Sequence, residues 1–211
     1  MNKKHRHIYL LTAFFCLGLV ATSSEGVTNS KDSNTAVRVL LDKAIPKGKV
    51  QSLLYSTFYR TDRGALKWTR NGQMFSVVNY LGLDDYLLGT LGSEMSPSWE
   101  IEALKAQAVA SRTYALYMIK HPKHSDYDLE RSTQDQVYGG VEAEHPRVRE
   151  AIQATSGEVL SFKDQPIKAF FHSRCGGSTE TPGFVWNHHQ GYPQKKVACP
   201  YCLKNPFALY F

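Results

Sequence analysis

The stretch Gly92-Ser93-Glu94-Met95-Ser96-Pro97-Ser98-Trp99 and the segment after it decide the fold. From Trp99 to about Lys120 the sequence has no Gly or Pro, and strong helix formers dominate it. Ser96 and Pro97 fit an N-cap and a first helical position, because a proline loses no hydrogen bond there. We therefore predict one long helix that opens just after Glu94 and ends before the pair His121-Pro122.

This predicted helix is apolar on two sides. One apolar stripe consists of Ile101, Leu104, Ala108 and Ala115, and the other of Ala103, Ala106, Ala110 and Tyr117. Two apolar sides require neighbours on both, and alanine lets those neighbours approach closely. The fold class that follows is α+β: a central buried helix packed by antiparallel β-hairpins, in one domain.

Shorter elements surround the central helix. The β-branched and aromatic runs predict strands at 37–41, 52–59, 74–80, 158–162 and 167–172. The remaining periodic segments predict a short helix over 86–91, capped by Asp84-Asp85, and a second helix over 146–155. Asn71-Gly72 and the segment 163–166 read as hairpin turns. At 211 residues the chain suits one domain with a substantial core.

The N-terminus has the pattern of a secretory signal peptide. Lys3, Lys4 and Arg6 precede an apolar run over 10–20, which is too short to span a bilayer readily. We predict a signal peptide over 1–23, a disordered polar spacer over 24–36 and a domain over 37–211, and hence export to the periplasm, the cell wall or the medium. Removing 1–23 takes away three basic residues and no acidic one, which lowers the net charge from +6 to +3. That small charge makes no case for nucleic acid binding.

Glu94 by itself reads as a solvated carboxylate close to a helix end. The wider string changes that interpretation. The segment 85–115, with its Ser93-Glu94-Met95 step, resembles the stage II sporulation protein D family, which also contains the amidase enhancers called LytB. The segments 132–140, 155–160 and 171–186 match further signatures of this family, and the similarity covers roughly 37–205.

The resemblance implies an activity and a catalytic residue. Members with this motif are lytic transglycosylases of peptidoglycan, and Glu94 stands at the position of their acid/base. Such an enzyme needs one carboxyl group, because the attacking C6 hydroxyl belongs to the sugar itself and is already tethered. The carboxyl must be protonated near neutral pH, which burial achieves by raising its pKa. Some members bind zinc where this chain has His124, Glu130, Gln134 and Asp135, so that site is not expected here.

Six further residues are candidates for binding the sugar. They are Arg112, Tyr114, Gln136, Tyr138, His172 and Ser173. Amide and phenol groups suit the N-acetyl and hydroxyl groups of a glycan. For Arg112 the alternative is a buried side chain that anchors loop carbonyls, and the residues alone leave both open.

The cysteines after residue 23 admit two interpretations. His172, Cys175, Cys199 and Cys202 have the spacing of a zinc knuckle with one His and three Cys. His188 and His189 are alternative ligands. An exported protein instead favours a disulfide, most simply from Cys175 to Cys199 or Cys202, although an odd number of cysteines leaves one thiol over.

Two functions from different classes follow from the resemblance. The first is a peptidoglycan lytic transglycosylase that acts on glycan strands already stripped of stem peptides, which implies a cell-wall amidase as partner. The second is a wall-binding protein without catalytic activity that enhances an amidase. Retention of Glu94 favours the enzyme, and the early end of the chain at Phe211 favours the enhancer.

Overall fold

A computed structural model describes residues 27–29, 35–54, 63–173, 175–187 and 194–204. Within these ranges the strands are β1 (Val27–Asn29), β2 (Ala36–Pro46), β3 (Ala65–Asn71), β4 (Met74–Gly82), β5 (Leu129–Glu130), β6 (Glu158–Phe162) and β7 (Gln165–Pro166). The helices are α1 (Lys47–Leu54), α2 (Leu83–Glu94), α3 (Ile101–Lys120), α4 (Pro146–Ala154), α5 (Pro182–Trp186) and α6 (Pro200–Lys204), with a 3-10 helix over Gly140–Ala143. The predicted α+β class is confirmed.

The strands form two sheets around a buried helix. One sheet has the order β3-β4-β2-β5 and the other β1-β6-β7. All pairs are antiparallel except β2 with β5. The central helix α3 contacts α2, α4 and β6, and 13 of its 20 residues are buried. It therefore packs on more than one side, as its two apolar stripes predict.

The central helix starts later than its sequence indicates. Its N-cap is Glu100, and no side chain caps it. Ser96 does not act as the N-cap, because its hydroxyl lies 2.9 Å from the Ser98 hydroxyl within a turn. The Pro97 carbonyl in the same turn accepts a hydrogen bond of 2.8 Å from the Arg147 side chain. The predicted end is confirmed, with His121 as the C-cap.

Other predicted boundaries are corrected by the structure. Residues 52–54 belong to α1 rather than to a strand, while 55–62 lie outside the described residues. The short helix predicted over 86–91 is the longer α2, with Gly82 at its N-cap and the two aspartates inside its first turn, where the helix dipole favours acidic side chains. The second helix is confirmed as α4.

The turn of the C-terminal hairpin is shorter than the predicted segment 163–166. Lys163 and Asp164 both have positive φ, at 51° and 60°, so the turn has two residues and carries no Gly or Asn as a sequence signal. Its second strand, β7, has two residues, and the segment 167–172 is not a strand.

The N-terminal predictions fall mostly outside the described residues. The predicted signal peptide lies there entirely. The predicted spacer over 24–36 contains β1, which pairs with β6, so it is not disordered throughout. No helix in the described ranges is long and apolar enough to cross a membrane.

Close packing of α2 depends on two glycines of that helix. A Cβ added to Gly89 would lie 2.6 Å from a ring carbon of Tyr138, and one added to Gly92 would lie 2.2 Å from the Ala143 carbonyl oxygen. Both distances are too short for real atoms, so these glycines allow the segment 138–143 to rest directly on α2.

This contact leads to a stability prediction. Gly92→Ala is expected to lower the free energy of unfolding by about 1–3 kcal/mol, because the new methyl group overlaps a backbone oxygen that cannot rotate away. Urea denaturation measures the change. Gly48→Ala in α1 is the matched control, since its Cβ would meet nothing within 4 Å. That control should stabilise by about 0.5–1 kcal/mol. A Gly92→Ala protein as stable as the parent would contradict the prediction.

Candidate active site

Glu94 is the last residue of α2. It therefore ends a helix, whereas the sequence predicts that this helix ends at 91 and that the central helix opens just after Glu94. Its carboxyl group is half-buried, and Oε1 accepts a hydrogen bond of 2.6 Å from the Val137 backbone N–H. Burial raises the pKa of Glu94 above its usual value, and the Val137 hydrogen bond opposes that rise. The C-terminal end of a helix also disfavours a negative charge. Each of burial and helix position favours the protonated acid.

A short loop, Asp135–Gly139, brings Val137 to Glu94. Three hydrogen bonds fix this loop. The Tyr86 hydroxyl donates to Gln136 Oε1 at 3.0 Å, the Gly139 N–H donates to the Gly89 carbonyl at 2.8 Å, and the Tyr138 N–H donates to the Arg131 carbonyl at 3.2 Å. Two of the three are made to α2 itself, so the helix that carries Glu94 also positions the group that orients it.

Gln136 and Tyr138 lie under this loop. Gln136 is fully buried and Tyr138 is 3% exposed. The Tyr138 ring stacks on Tyr86 with centroids 5.6 Å apart, and its hydroxyl accepts a hydrogen bond of 3.4 Å from the Asn79 side chain. Both side chains therefore act here by positioning the loop, and contact with sugar stays a prediction.

Tyr114 is also buried, and its hydroxyl donates to Asp135 Oδ1 at 2.9 Å. Burial, together with the neighbouring Asp135 carboxylate, raises the pKa of Tyr114. Its phenol thus stays protonated and donates a hydrogen bond to Asp135, the first residue of the loop. This arrangement supports a positioning role for Tyr114 rather than direct contact with a ligand.

Arg112 is 2% exposed in the middle of α3. Its guanidinium donates to the Ile152 carbonyl at 3.1 Å and to the Glu158 carbonyl at 3.2 Å. Burial lowers the pKa of Arg112, and the nearby Asp84 and Glu158 carboxylates oppose that effect. Of the two interpretations that the sequence leaves open, this geometry favours the buried anchor over the sugar contact, although the carbonyls that Arg112 binds lie at the end of α4 and the start of β6 rather than in a loop.

Two groups near Glu94 were missed as site residues. One is the backbone N–H of Val137, which no side-chain pattern reveals. The other is Asp135, whose carboxylate accepts hydrogen bonds from Tyr114, from the Lys123 ammonium at 2.6 Å and from the Glu130 N–H at 2.9 Å. Asp135 directly precedes the Gln136-Val137-Tyr138 signature, and this position in the sequence could have identified it as a site residue.

The structure gathers the three cysteines and leaves His172 out of their group. The Sγ atoms of Cys175, Cys199 and Cys202 all lie within 4.8 Å of one another. Among the described residues no histidine joins them, and the alternative ligands His188 and His189 lie outside the described ranges. The three side chains are thiols rather than disulfides in the structure. His172 is half-buried and Ser173 is exposed, and their contact with sugar stays a prediction.

Hydrogen bonds of the surrounding backbone build a frame for the cysteines. The Cys199 N–H donates to the Gly177 carbonyl at 2.8 Å, and the Thr179 N–H donates to the Val197 carbonyl at 2.9 Å. Ser178 and Ala198 form an antiparallel bridge between these two bonds. The frame joins two segments that are distant in sequence, and it brings Cys199, directly before α6, to Cys175.

The fold and the site define a class of protein: a single α+β domain with a half-buried, oriented carboxyl group at the end of one helix. A family model described as stage II sporulation protein matches residues 71–162, a range that includes Glu94, Val137 and the whole of α3. Residues 71–162 of this chain are therefore similar to the family of stage II sporulation protein D, and relatives named stage II sporulation protein D and amidase enhancer also match the chain.

Individual relatives show the same similarity. An uncharacterised protein of Brachyspira hyodysenteriae is 40% identical over 139 residues, which is 65% of this chain and 35% of that protein. Stage II sporulation protein D of Bacillus subtilis is 30% identical over 144 residues, which is 61% of this chain and 42% of that protein. The amidase enhancer of Bacillus subtilis is 37% identical over 106 residues, which is 50% of this chain and 14% of that protein. The chain thus spans less than half the length of each of these relatives.

Proposed function

We propose that this protein is a peptidoglycan lytic transglycosylase that acts on glycan strands freed of stem peptides. Glu94 in its acid form protonates the glycosidic oxygen while the C1–O bond breaks. The resulting carboxylate then takes the proton of the muramic acid C6 hydroxyl as that oxygen bonds to C1. The products are a strand with a new free hydroxyl and a strand that ends in a 1,6-anhydro ring, and no water is consumed.

The observation that carries this proposal is the state of the Glu94 carboxyl. The Val137 N–H binds Oε1, so the acid proton belongs on Oε2. Burial raises the pKa of the group, as a general acid that works near neutral pH requires. A single acid/base is sufficient because the nucleophile is part of the substrate.

The test is digestion of purified, peptide-free glycan strands followed by mass spectrometry. The proposal predicts fragments that end in anhydro-muramic acid. Fragments with reducing ends that carry added water would instead indicate a hydrolase.

The raised pKa of Glu94 also predicts a pH profile. The general acid is active when protonated, so cleavage should decline as the pH rises through the pKa of Glu94, which lies above the ordinary glutamate value of 4.5. We expect kcat/KM for strand cleavage to fall on the alkaline side of that pKa. A rate that increases steadily with pH across the same interval would show that Glu94 acts only as a base.

A second candidate function rests on one relative. A protein named amidase enhancer is 37% identical to half of this chain, which supports a protein of the cell envelope that binds peptidoglycan and a cell-wall amidase. We propose the amidase as a partner in either case. If the purified protein leaves strands uncut but accelerates an amidase on whole sacculi, the enhancer function is the correct one. N-terminal sequencing of exported material, expected to start near residues 23–26, tests the export that both functions need.

A structural zinc ion held by Cys175, Cys199 and Cys202 is also part of the proposal, with a fourth ligand from outside this group of three, because structural zinc sites have four ligands. Zinc bonds to sulfur are about 2.3 Å long, which places two sulfur atoms of a tetrahedral site about 3.8 Å apart. The observed limit of 4.8 Å between the three Sγ atoms fits that arrangement after a small contraction. Cys199 is 5% exposed, which suits a structural site.

Metal analysis tests the zinc ion. Protein purified without added metal should carry about one equivalent of zinc, and Cys199→Ser should lower that content together with the thermal stability. Serine is close to cysteine in size but binds zinc poorly, so the loss reports the metal rather than the packing. Protein without metal whose non-reducing gel mobility differs from the reduced form would establish the disulfide instead.

A further inference from the structure

The segment after β7 places a cationic side chain and an aromatic one at the surface. Residues alternate in burial along this segment. The core contains Ile167, which is 3% exposed, and Ala169, which is 2% exposed. The residue after each of them, Lys168 and Phe170, is half-buried. The Lys168 Nζ atom lies 5.3 Å from the centroid of the Phe170 ring. A lysine held over a ring is restricted in position and partly removed from water.

An aromatic surface continues from this lysine. The Phe170 ring stacks on Trp186 of α5, with centroids 4.1 Å apart and planes 5° apart. Trp186 is 47% exposed. Flat aromatic surfaces of this kind pack against the C–H faces of sugar rings, because both are apolar and rigid.

The charges around Lys168 do not balance. Among the described residues, its electrostatic neighbours are Lys123 and Asp135, and burial followed by the Lys123 charge lowers the pKa of Lys168. The Asp135 carboxylate is already bound by Lys123, Tyr114 and the Glu130 N–H. Lys123 and Lys168 therefore share the Asp135 carboxylate, whose oxygens already accept other hydrogen bonds. An additional anion would be attracted to these two lysines.

The two lysines, Lys123 and Lys168, lie beside the loop that binds Glu94. Asp135 opens that loop, and Val137, two residues later, binds the Glu94 carboxyl. A ligand that lies along the loop from Glu94 would therefore bring its next groups towards Lys123 and Lys168.

We propose that Lys168, supported by Lys123 and the Phe170–Trp186 pair, binds the lactyl carboxylate of a muramic acid residue. This inference rests on the proposed function and identifies how the substrate is selected. In intact peptidoglycan the lactyl group is joined to the stem peptide by an amide and carries no charge. An amidase that removes the peptide frees one carboxylate on each muramic acid, so Lys168 distinguishes stripped strands from strands that still carry peptide.

The test compares two forms of the same strands. In one form the lactyl carboxylates are free, and in the other they are converted to neutral methylamides. Binding is measured with the Glu94→Gln protein so that no cleavage occurs. We expect the free carboxylate form to bind about tenfold to a hundredfold more tightly, as for a hydrogen-bonded ion pair.

Lys168→Gln in that background should remove the preference, while Lys168→Arg should retain most of it. Lys163→Gln is the matched control, because Lys163 also lies over a ring, 5.2 Å from the Phe162 centroid, and the same net charge is lost. It should keep the preference. Thermal unfolding of each variant shows whether it is folded.

Two results would overturn the inference: equal binding of both strand forms by the parent protein, or a folded Lys168→Gln protein with an undiminished preference. Neither depends on turnover. A protein that makes no anhydro product can still show the preference, and an active enzyme without the preference refutes this inference alone.

Discussion

Replacement of Glu94 by glutamine is expected to reduce strand cleavage by about 10²–10⁴-fold, and towards the upper end of that range, because no second acid/base is assigned to the reaction. Glutamine keeps the shape of the side chain and the oxygen that accepts from Val137, but it has no acidic proton. The measurement is the rate of formation of anhydro-muramic ends on peptide-free strands. Binding of the strands should remain nearly intact.

The same substitution should change the free energy of unfolding by no more than about 1 kcal/mol. A carboxyl group whose pKa is raised by burial destabilises the fold at pH values where it is ionised. Glutamine removes that cost at neutral pH, so any change should be stabilising. A large loss of stability would mean that lost folding, rather than lost chemistry, explains an inactive variant.

Glu100→Gln and Glu102→Gln are the matched controls for Glu94. Glu100 is exposed at the N-cap of α3. Glu102 is 59% exposed and pairs with Lys105 at 2.7 Å. Both substitutions remove one carboxylate close to Glu94 in sequence, and both should leave most of the activity. A Glu94→Gln protein that forms anhydro ends as fast as these controls would refute the assigned mechanism.

Replacement of Arg112 by methionine is expected to lower the free energy of unfolding by about 3 kcal/mol. The substitution removes two hydrogen bonds from a charged donor and leaves two buried carbonyl oxygens without that donor. Those carbonyls, of Ile152 and Glu158, belong to the end of α4 and the start of β6. Denaturant unfolding measures the loss. Methionine has a similar length, so little cavity forms.

Arg149→Met is the control for this prediction. Arg149 is 43% exposed and pairs with Glu144 at 2.9 Å, so its loss should cost at most about 1 kcal/mol. Below its unfolding temperature, Arg112→Met should still bind glycan strands like the parent protein. A folded Arg112→Met protein with normal stability and weak strand binding would restore the sugar-contact interpretation.

Patterns that depend on neighbouring residues in sequence were predicted well. The helix predicted over 146–155 forms as α4 and buries Val148, Ala151 and Ile152, because a helical period is a local property. The hairpin between β3 and β4 forms one residue later than the predicted Asn71-Gly72: Asn71 pairs with Met74, and the turn residues are Gly72, with a positive φ of 61°, and Gln73. Strand β3 itself was not predicted, since its residues Ala65–Asn71 are mostly polar or exposed.

Boundaries failed where tertiary contacts compete with local preference. Ser96-Pro97 is a good helix start by composition, but Arg147 of α4 holds the Pro97 carbonyl in a turn, and α3 begins four residues later. The turn at Lys163-Asp164 adopts positive φ values without a glycine. In both places the local sequence favours another conformation, and contacts or pairing elsewhere outweigh a preference worth about 1 kcal/mol.

By itself the amino-acid sequence determined the α+β class, the central buried helix and the resemblance of the segment 85–115 to a known family, because each of these follows from periodicity or from a contiguous motif. Only the tertiary structure showed that the Val137 N–H binds Glu94, that Arg112 binds the Ile152 and Glu158 carbonyls and that the three cysteines meet without His172. These contacts join residues that are 40 or more positions apart for Glu94 and Arg112 and about 25 apart for the cysteines. Such distances in sequence leave no local pattern, since the packing of α2, α3 and the loops between them decides which groups meet.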